Sequence, residues 1–222
     1  MNSKQNKFKE VKVLLPLRQS FNESECIWVT MGIGDSTDIE AEFKKKYPRC
    51  KLYGIEASED QFADFDKFGK VIPFGVGVEA GSFVLTLRTH KKERGQYPYF
   101  EKNVTIYPLS QLLDKYVGQR LVHFMTIDLE GFEYSIMEEL IDNEGRLSKQ
   151  GIVFCLIDAE FHQYKKEYAA ALKRLIKKSS KYESDYLPIS HNWYMEIHHK
   201  ITFINFKRKE CRQAFDIENL FD

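Results

Sequence analysis

The chain has 222 residues, 43% of them hydrophobic, with 33 basic and 33 acidic side chains and a formal net charge of zero. This length and composition suit one domain with a sizeable core. The balanced charge offers no electrostatic basis for binding nucleic acid or an anionic membrane. No apolar run reaches the roughly 18 residues that a transmembrane helix needs.

The N-terminal residues are polar and lack the apolar stretch of a signal peptide, so residues 1–25 are predicted to be a lead-in to a single domain over 26–222. A chain from which an N-terminal anchor had been removed would have the same features. The four cysteines are scattered and form no Cys-x-x-Cys pair: Cys26, Cys50, Cys155 and Cys211. They are predicted to be free thiols packed as small apolar groups, which favours a reducing, cytoplasmic compartment.

The first elements form two predicted strand–helix units. The apolar run "CIWVTM" indicates a buried strand, and a helix with a capping box of Thr37 and Glu40 follows it. The apolar stripe of that helix consists of Ile39, Phe43 and Tyr47. The second strand is "KLYGIE", and its helix begins with a capping box of Ser58 and Gln61. The stripe of this second helix consists of Phe62, Phe65 and Phe68.

The middle of the chain is predicted to be more irregular. "KVIPFGVGV" reads as a third strand interrupted by glycines, and "GSFVLTLRT" alternates as a half-buried strand does. Residues 89–103 are predicted to be an exposed loop, whose aromatic part "GQYPYF" could line a sugar site or cover the core. "PLSQLLDKYV" predicts a short helix.

The remainder returns to regular alternation. "LVHFMTID" and "GIVFCLIDAE" predict buried strands, "YSIMEELIDNEG" predicts a helix between them, and "KITFINF" predicts a final strand. A further helix has the stripe Tyr164, Tyr168, Leu172 and Ile176. The alternation predicts an α/β fold with a mostly parallel sheet and helices on both faces. In such sheets ligands bind at the carboxyl ends of the strands.

A glycine turn follows the first strand, in the sequence "TMGIGDSTD". Gly32 and Gly34 allow a tight turn and a close approach of backbone to ligand. Glu56 ends the second strand about 22 residues later, which is near the spacing of an acid that holds a ribose diol. The third glycine of a dinucleotide fingerprint is replaced by Thr37, so a nucleotide is favoured over a dinucleotide.

Acidic residues follow the fourth and fifth strands. "DLEGFE" places Asp128, Glu130 and Glu133 around a glycine, although Glu133 in a first helical turn is also favoured by the helix dipole. "IDAEFH" places Glu160 and His162 on one side of an extended chain. Parallel strands should bring these groups to one sheet edge, where they could act as general bases or hold a divalent ion. His191, His198 and His199 could reach the cleft from the C-terminal segment, although nothing in their spacing shows it, and His198 and His199 are predicted to be at the surface.

Four segments together carry a resemblance: "VTMGIGD", "YGIEAS", "FMTIDLEGFEYSIM" and "IDAEFH". In this order they resemble the FkbM family of S-adenosylmethionine-dependent methyltransferases, over about residues 26 to 206. "IDLEGFE" is the most specific part. The resemblance implies a Rossmann-like, class I methyltransferase sheet of seven strands with an antiparallel last strand. It also implies methyl transfer, typically to a hydroxyl oxygen of a sugar or another small-molecule or glycan acceptor.

The resemblance implies roles for the residues already singled out. Glu56 would take the ribose, and the turn with Gly32, Gly34 and Asp35 would contact the methionine end of S-adenosylmethionine. Asp128 would border both cofactor and acceptor. The catalytic candidates are Asp128, Glu130, Glu160 and His162; a divalent metal is possible, but the sequence assigns no metal ligands.

Two positions depart from the pattern, and two other functions stay open. Thr30 stands where class I enzymes often have an acid, and Thr126 stands where the family usually has lysine. A non-catalytic methyltransferase-like binding or scaffold module would tolerate both changes. A nucleotide-dependent oxidoreductase is the other alternative, and the missing third glycine argues against it.

Overall fold

The computed structural model describes residues 12–89, 99–162, 166–180, 184–194 and 198–218. The strands are β1 (Ile27–Met31), β2 (Lys51–Ile55), β3 (Lys70–Ile72), β4 (Gly75–Gly77), β5 (Gly81–Arg88), β6 (Tyr99–Pro108), β7 (Leu121–Ile127), β8 (Val153–His162), β9 (Tyr186–Tyr194) and β10 (His198–Asn205). The helices are α1 (Asp38–Lys46), α2 (Leu109–Leu112), α3 (Glu133–Ile141), α4 (Arg146–Lys149), α5 (Lys166–Ser180) and α6 (Lys209–Ala214). Within these ranges, no helix is both long and apolar enough to cross a bilayer.

Seven strands form the main sheet, in the order β3-β2-β1-β7-β8-β10-β9. Strands β1, β2, β3, β7 and β8 run parallel, and β10 is antiparallel to both of its neighbours. Strand order reverses beside β1, which is the position where open α/β sheets bind ligands. The predicted fold, a mostly parallel seven-stranded sheet with an antiparallel last strand, is confirmed.

A second, three-stranded sheet with the order β4-β6-β5 lies beside the main one. The glycine-interrupted segment after β2 therefore divides into β3 in the main sheet and β4 in the small sheet. The predicted loop over 89–103 is wrong for residues 99–103, which pair with β5 as part of β6. Residues 90–98 lie outside the described ranges.

The core has two parts, one on each face of the main sheet. One part packs β1, β7 and β8 against α2, α3 and α5, with Met125 and Ile157 among its fully buried residues. The other packs the opposite face against α1 and α6 around Trp28, Phe124 and Phe215. Burial on both faces explains the near-continuous apolar sequence of the central strands.

The helix predicted from Ser58 is wrong, because two separate 3₁₀ turns stand there, at Glu59–Gln61 and Phe65–Lys67. Ala63 between them has a φ of 44°, which no helix continues through. The phenylalanine stripe is spaced by three, and side chains three apart align on a 3₁₀ helix.

Neither predicted capping box forms, since the side chains of Thr37 and Ser58 make no capping hydrogen bond. The second residue of each predicted capping box, Glu40 or Gln61, makes a different contact. Gln61 donates to Asp35 (3.1 Å), and Glu40 accepts from Lys12 (3.0 Å).

The segment predicted to be a lead-in packs against the sheet. The backbone N–H of Val13 donates to the buried carboxylate of Asp158 at 2.9 Å, and Leu14 is buried. Leu17 forms a β-bridge with Phe215 near the other end of the chain. Residues 12–17, called here the N-terminal strap, therefore belong to the folded unit.

The prediction of free thiols is wrong, because the four cysteines form two disulfides. Cys26–Cys50 links the start of β1 to the residue before β2, and Cys155–Cys211 links β8 to α6. The sequence spacing gave no sign of this, since the partners are 24 and 56 positions apart and meet only through the fold. The inference of a reducing compartment loses its basis with the free thiols.

Candidate active site

The carboxyl ends of the central strands border a cleft of about 390 Å³. Gly32, Glu56, Asp128 and Glu130 all line it. The small sheet supplies further wall, including Val84 and Leu87. This volume is within the roughly 300–1,000 Å³ range of small-molecule sites.

Gly32 is required by the geometry of the turn after β1. Its φ is 82°, and a Cβ atom there would stand 1.9 Å from the backbone oxygen of Asp128. The Gly32 amide donates to Ile55, and the Asp128 amide donates to Met31, both at 2.9 Å. The ends of β2, β1 and β7 are thereby joined directly at the cleft.

Glu56 is anchored at the same edge. One carboxylate oxygen accepts from the amide of Ser58 at 2.7 Å and the other from the amide of Ile33 at 3.2 Å. A carboxylate has about four acceptor positions, so it can accept hydrogen bonds from more than two donors. The backbone bonds orient the side chain along the cleft wall.

The other two residues predicted to contact the cofactor do not line this cleft. Gly34 has a φ of 74°, and a Cβ atom there would have no neighbour within 4 Å. Asp35 accepts a hydrogen bond from Gln61. The structure therefore brings together Gly32, Glu56 and Asp128, and it leaves Gly34 and Asp35 beside the cleft.

The turn after β7 has an unusual backbone. Glu130 has a φ of 51°, which is uncommon for a residue with a side chain, and Gly131 has a φ of 108°. Glu133, at the start of α3, is fully buried and accepts from the Gly131 amide at 2.7 Å. The turn directs Asp128 and Glu130 toward the cleft, where about half of each side chain is accessible.

His162 lies at the centre of these acids, because β8 continues three residues beyond the end of its pairing with β7. Its Nε2 atom is 3.5 Å from Asp128, 3.6 Å from Glu130 and 3.8 Å from Glu160. Its Nδ1 atom is 3.1 Å from Glu133, which also accepts from the His162 amide at 2.9 Å. We call these five residues the carboxylate–histidine cluster.

The prediction that His198 and His199 are surface residues is wrong. His198 pairs with His162 across β10 and β8, and its Nδ1 atom is 3.0 Å from Glu160. Lys200, also buried, has its Nζ atom 3.3 Å from the other oxygen of Glu160. The sequence could have indicated these contacts only if the register of β10 had been known.

Burial and crowding change the acidities in the cluster. Desolvation, with the neighbouring carboxylates, raises the pKa of Asp128 to about 6 and that of Glu160 to about 8. Burial alone would lower the pKa of His162, but its bond to Glu133 and the other acids raise it to about 9. Burial lowers the pKa of Lys200 to about 7. Shifts of this kind concentrate at functional sites.

A buried polar layer continues from the cluster beneath the strap. Thr126 donates to Thr30 at 3.1 Å, and Thr30 lies 3.3 Å from Glu40. Burial raises the pKa of Asp158 to about 7, against the opposing effect of its bond to the Val13 amide and of Lys12. The two threonines that depart from the expected pattern thus occupy a layer whose positive charge comes from Lys12 and Lys200.

The sequence model described as "Methyltransferase FkbM domain" matches residues 4–183, most of the chain. The chain therefore belongs to the FkbM methyltransferase family. The family predicted from the sequence is confirmed, and S-adenosylmethionine is the cofactor that agrees with it.

The remaining comparisons add little. No curated protein matches the chain. Among solved structures, the chain is similar to the plantazolicin methyltransferase BpumL in complex with SAH, with 11% identity and a TM-score of 0.39. That match covers 81% of this chain and 76% of the other. A likeness at this distance carries no functional argument.

Proposed function

We propose that the protein transfers a methyl group from S-adenosylmethionine to a hydroxyl oxygen of a small-molecule or glycan acceptor. The observation that carries the proposal is the cleft itself. A glycine turn and an anchored Glu56 border one part of it, and the carboxylate–histidine cluster borders another. One part suits a nucleoside, and the other suits a group that must lose a proton.

The residues of the cleft fit the cofactor. Gly32 holds the end of β1 against the turn after β7 at the cleft edge, and the Glu56 carboxylate, which lines the cleft, can accept hydrogen bonds from ribose hydroxyls. The sulfonium of the bound cofactor supplies an electrophilic methyl group. The protein's contribution is to hold the acceptor oxygen in line with it, since positioning provides much of the rate in such displacements.

The cluster would handle the proton of the acceptor. Asp128 and Glu130 reach the cleft, whereas His162 and Glu160 lie one layer deeper and are almost fully buried. A carboxylate in contact with the hydroxyl accepts its proton as the new bond forms. His162, fixed by Glu133, balances the charge of the two exposed acids.

The test uses labelled S-adenosylmethionine with a panel of hydroxyl-bearing acceptors, beginning with monosaccharides and short glycans. We expect a product that carries the label in an alkali-stable ether linkage, and no label in the matching deoxy analogues. Cofactor binding without turnover on any acceptor would favour the non-catalytic binding module. Tight binding of NAD in place of S-adenosylmethionine would favour the oxidoreductase.

The disulfides support an oxidising compartment for this reaction. Disulfides persist outside the reducing cytosol, and both pairs here are fully buried in the core. We therefore propose that the enzyme works on acceptors of the secretory pathway or the cell exterior. Thiol labelling of protein from its native source checks this, with protection of the four cysteines expected.

A further inference from the structure

The carboxylate–histidine cluster brings two carboxylates and one imidazole nitrogen within 4.8 Å of one another at the edge of the cleft. The Nε2 atom of His162 faces Asp128 at 3.5 Å and Glu130 at 3.6 Å. Both separations exceed the roughly 2.7–3.2 Å of an N–H···O hydrogen bond.

The same separations fit a shared cation. Ligand atoms bound at about 2.0–2.2 Å around one ion lie about 3–3.5 Å from one another along the edges of the coordination shell. The ligand atoms of Asp128, Glu130 and His162 all lie within 4.8 Å of one another. The three side chains come from the turn after β7 and the end of β8, so they approach one point from two sides.

The second nitrogen of His162 supplies an independent indication. A histidine that binds metal through one nitrogen almost always gives its other N–H to a carboxylate or a carbonyl. The Nδ1 atom of His162 lies 3.1 Å from Glu133, which is fully buried and held in turn by the Gly131 amide. This bond holds a proton on Nδ1, so Nε2, which faces the two exposed acids, is the nitrogen that would give up its proton to a metal ion.

We propose that Asp128, Glu130 and His162 bind a divalent cation at the edge of the cleft, with Glu133 as the positioning residue. Two carboxylates and one imidazole favour Mn²⁺ among the common ions, because carboxylates suit hard cations and imidazole suits transition metals. Glu160 is committed to His198 and Lys200, so it lies next to the site without being a ligand.

An ion held by these three residues at the cleft edge would have coordination positions left for water or for the acceptor hydroxyl. An oxygen bound to a divalent ion loses its proton more readily, which would assist its attack on the methyl group. This use of the ion rests on the proposed function, whereas binding of the ion does not.

The test is titration of the protein with Mn²⁺. Binding is monitored as the loss of the electron paramagnetic resonance signal of free Mn²⁺. Binding of S-adenosylhomocysteine is measured on the same samples by calorimetry. We expect one Mn²⁺ per chain, at least tenfold weaker binding in Glu130→Gln and His162→Gln, and unchanged S-adenosylhomocysteine affinity. Glu130 is more than half exposed, so Glu130→Gln should fold even if the His162 variant does not.

Two further variants separate a metal site from general acidity. Glu133→Gln should weaken Mn²⁺ about 10–100-fold, the usual effect of losing a partner that orients a metal-binding histidine. Glu138→Gln, on an exposed acid of the same helix, should leave Mn²⁺ affinity unchanged. If wild type does not bind Mn²⁺, or if Glu130→Gln binds it equally well, the metal site is overturned. Intact S-adenosylhomocysteine binding in the same samples would leave the methyltransferase proposal standing. If wild type binds neither Mn²⁺ nor S-adenosylhomocysteine, the result would count against both the metal site and the methyltransferase proposal.

Discussion

Single residues at the cleft differ sharply in how much change they tolerate, and the two glycines of the first turn illustrate this. Both have positive φ, but only Gly32 faces a neighbouring backbone atom at a distance that forbids a Cβ. The sequence alone treated the two as equivalent. The structure therefore assigns the close backbone approach to Gly32.

The glycines give the first prediction. Gly32→Ala should lower the melting temperature strongly, because its Cβ would collide with the Asp128 carbonyl. Gly34→Ala meets no neighbour and should cost only the left-handed strain of about 1–2 kcal/mol. Thermal unfolding of both variants checks this. If Gly34→Ala also loses affinity for S-adenosylhomocysteine, the space beside Gly34 is occupied by the ligand. An equal loss of stability in the two variants would contradict the steric argument.

Glu56 gives the second prediction. Glu56→Ala should weaken S-adenosylhomocysteine binding by about tenfold to a hundredfold, since hydrogen bonds to a charged group contribute about 1.5–3 kcal/mol. Calorimetry measures it, with Glu59→Ala as a control on an exposed acid nearby. An unchanged dissociation constant for Glu56→Ala would remove Glu56 from the ribose site.

His123 gives a third prediction, on stability and pH. Burial lowers its pKa to about 4, and the neutral ring accepts from the Ile27 amide at 3.3 Å. The unfolded chain takes up this proton near pH 6.5, so the contribution of His123 is complete above that pH and is lost as pH falls toward 4. The loss should reach roughly 3 kcal/mol. Urea denaturation of wild type and His123→Gln between pH 4 and 7 isolates it, and parallel curves for the two proteins would refute it.

At the scale of elements, the central strands could be predicted because burial on both faces imposes continuous apolar runs. Edge strand β9 was missed, because it contains Pro188 and several polar residues, which only an edge position tolerates. The acids at the strand ends could be placed together, because parallel strands share one edge. The contacts of Glu133 and His198 could not be predicted, because they depend on side-chain direction and strand register.

The N-terminal strap gives the prediction at this scale. Lys12 lies 3.0 Å from Glu40, whose side chain is only 2% exposed. Lys12→Met would leave a buried carboxylate without its cation and should destabilise the fold by about 3–5 kcal/mol. Chemical denaturation provides the measurement. Adding Glu40→Gln to Lys12→Met should recover part of the loss, and strictly additive effects would show that the pair does not interact.

At the scale of the whole molecule, one disulfide joins the residues that precede the neighbouring strands β1 and β2, and the other joins strand β8 to α6. Closing loops of 24 and 56 positions restricts the unfolded chain by about 3–4 kcal/mol each. Reduction should therefore lower the melting temperature by many degrees, and the paired variant Cys155→Ala/Cys211→Ala should reproduce part of that change. Calorimetry with and without reductant decides the matter, and identical melting curves would mean that the cystines contribute nothing.

The contact between Arg18, the residue after the strap, and Phe215, the residue after α6, has a consequence for how the protein is made. The Arg18 side chain donates to the Phe215 carbonyl, a partner 197 positions later in the chain. At a synthesis rate of about 5–20 residues per second, the ribosome produces Phe215 some 10–40 seconds after Arg18. The contact of Arg18 must wait for that interval, whereas Glu40 and Asp158, the partners of the strap, are synthesised earlier. The contact between Arg18 and Phe215 therefore forms only after the strap's own partners are available.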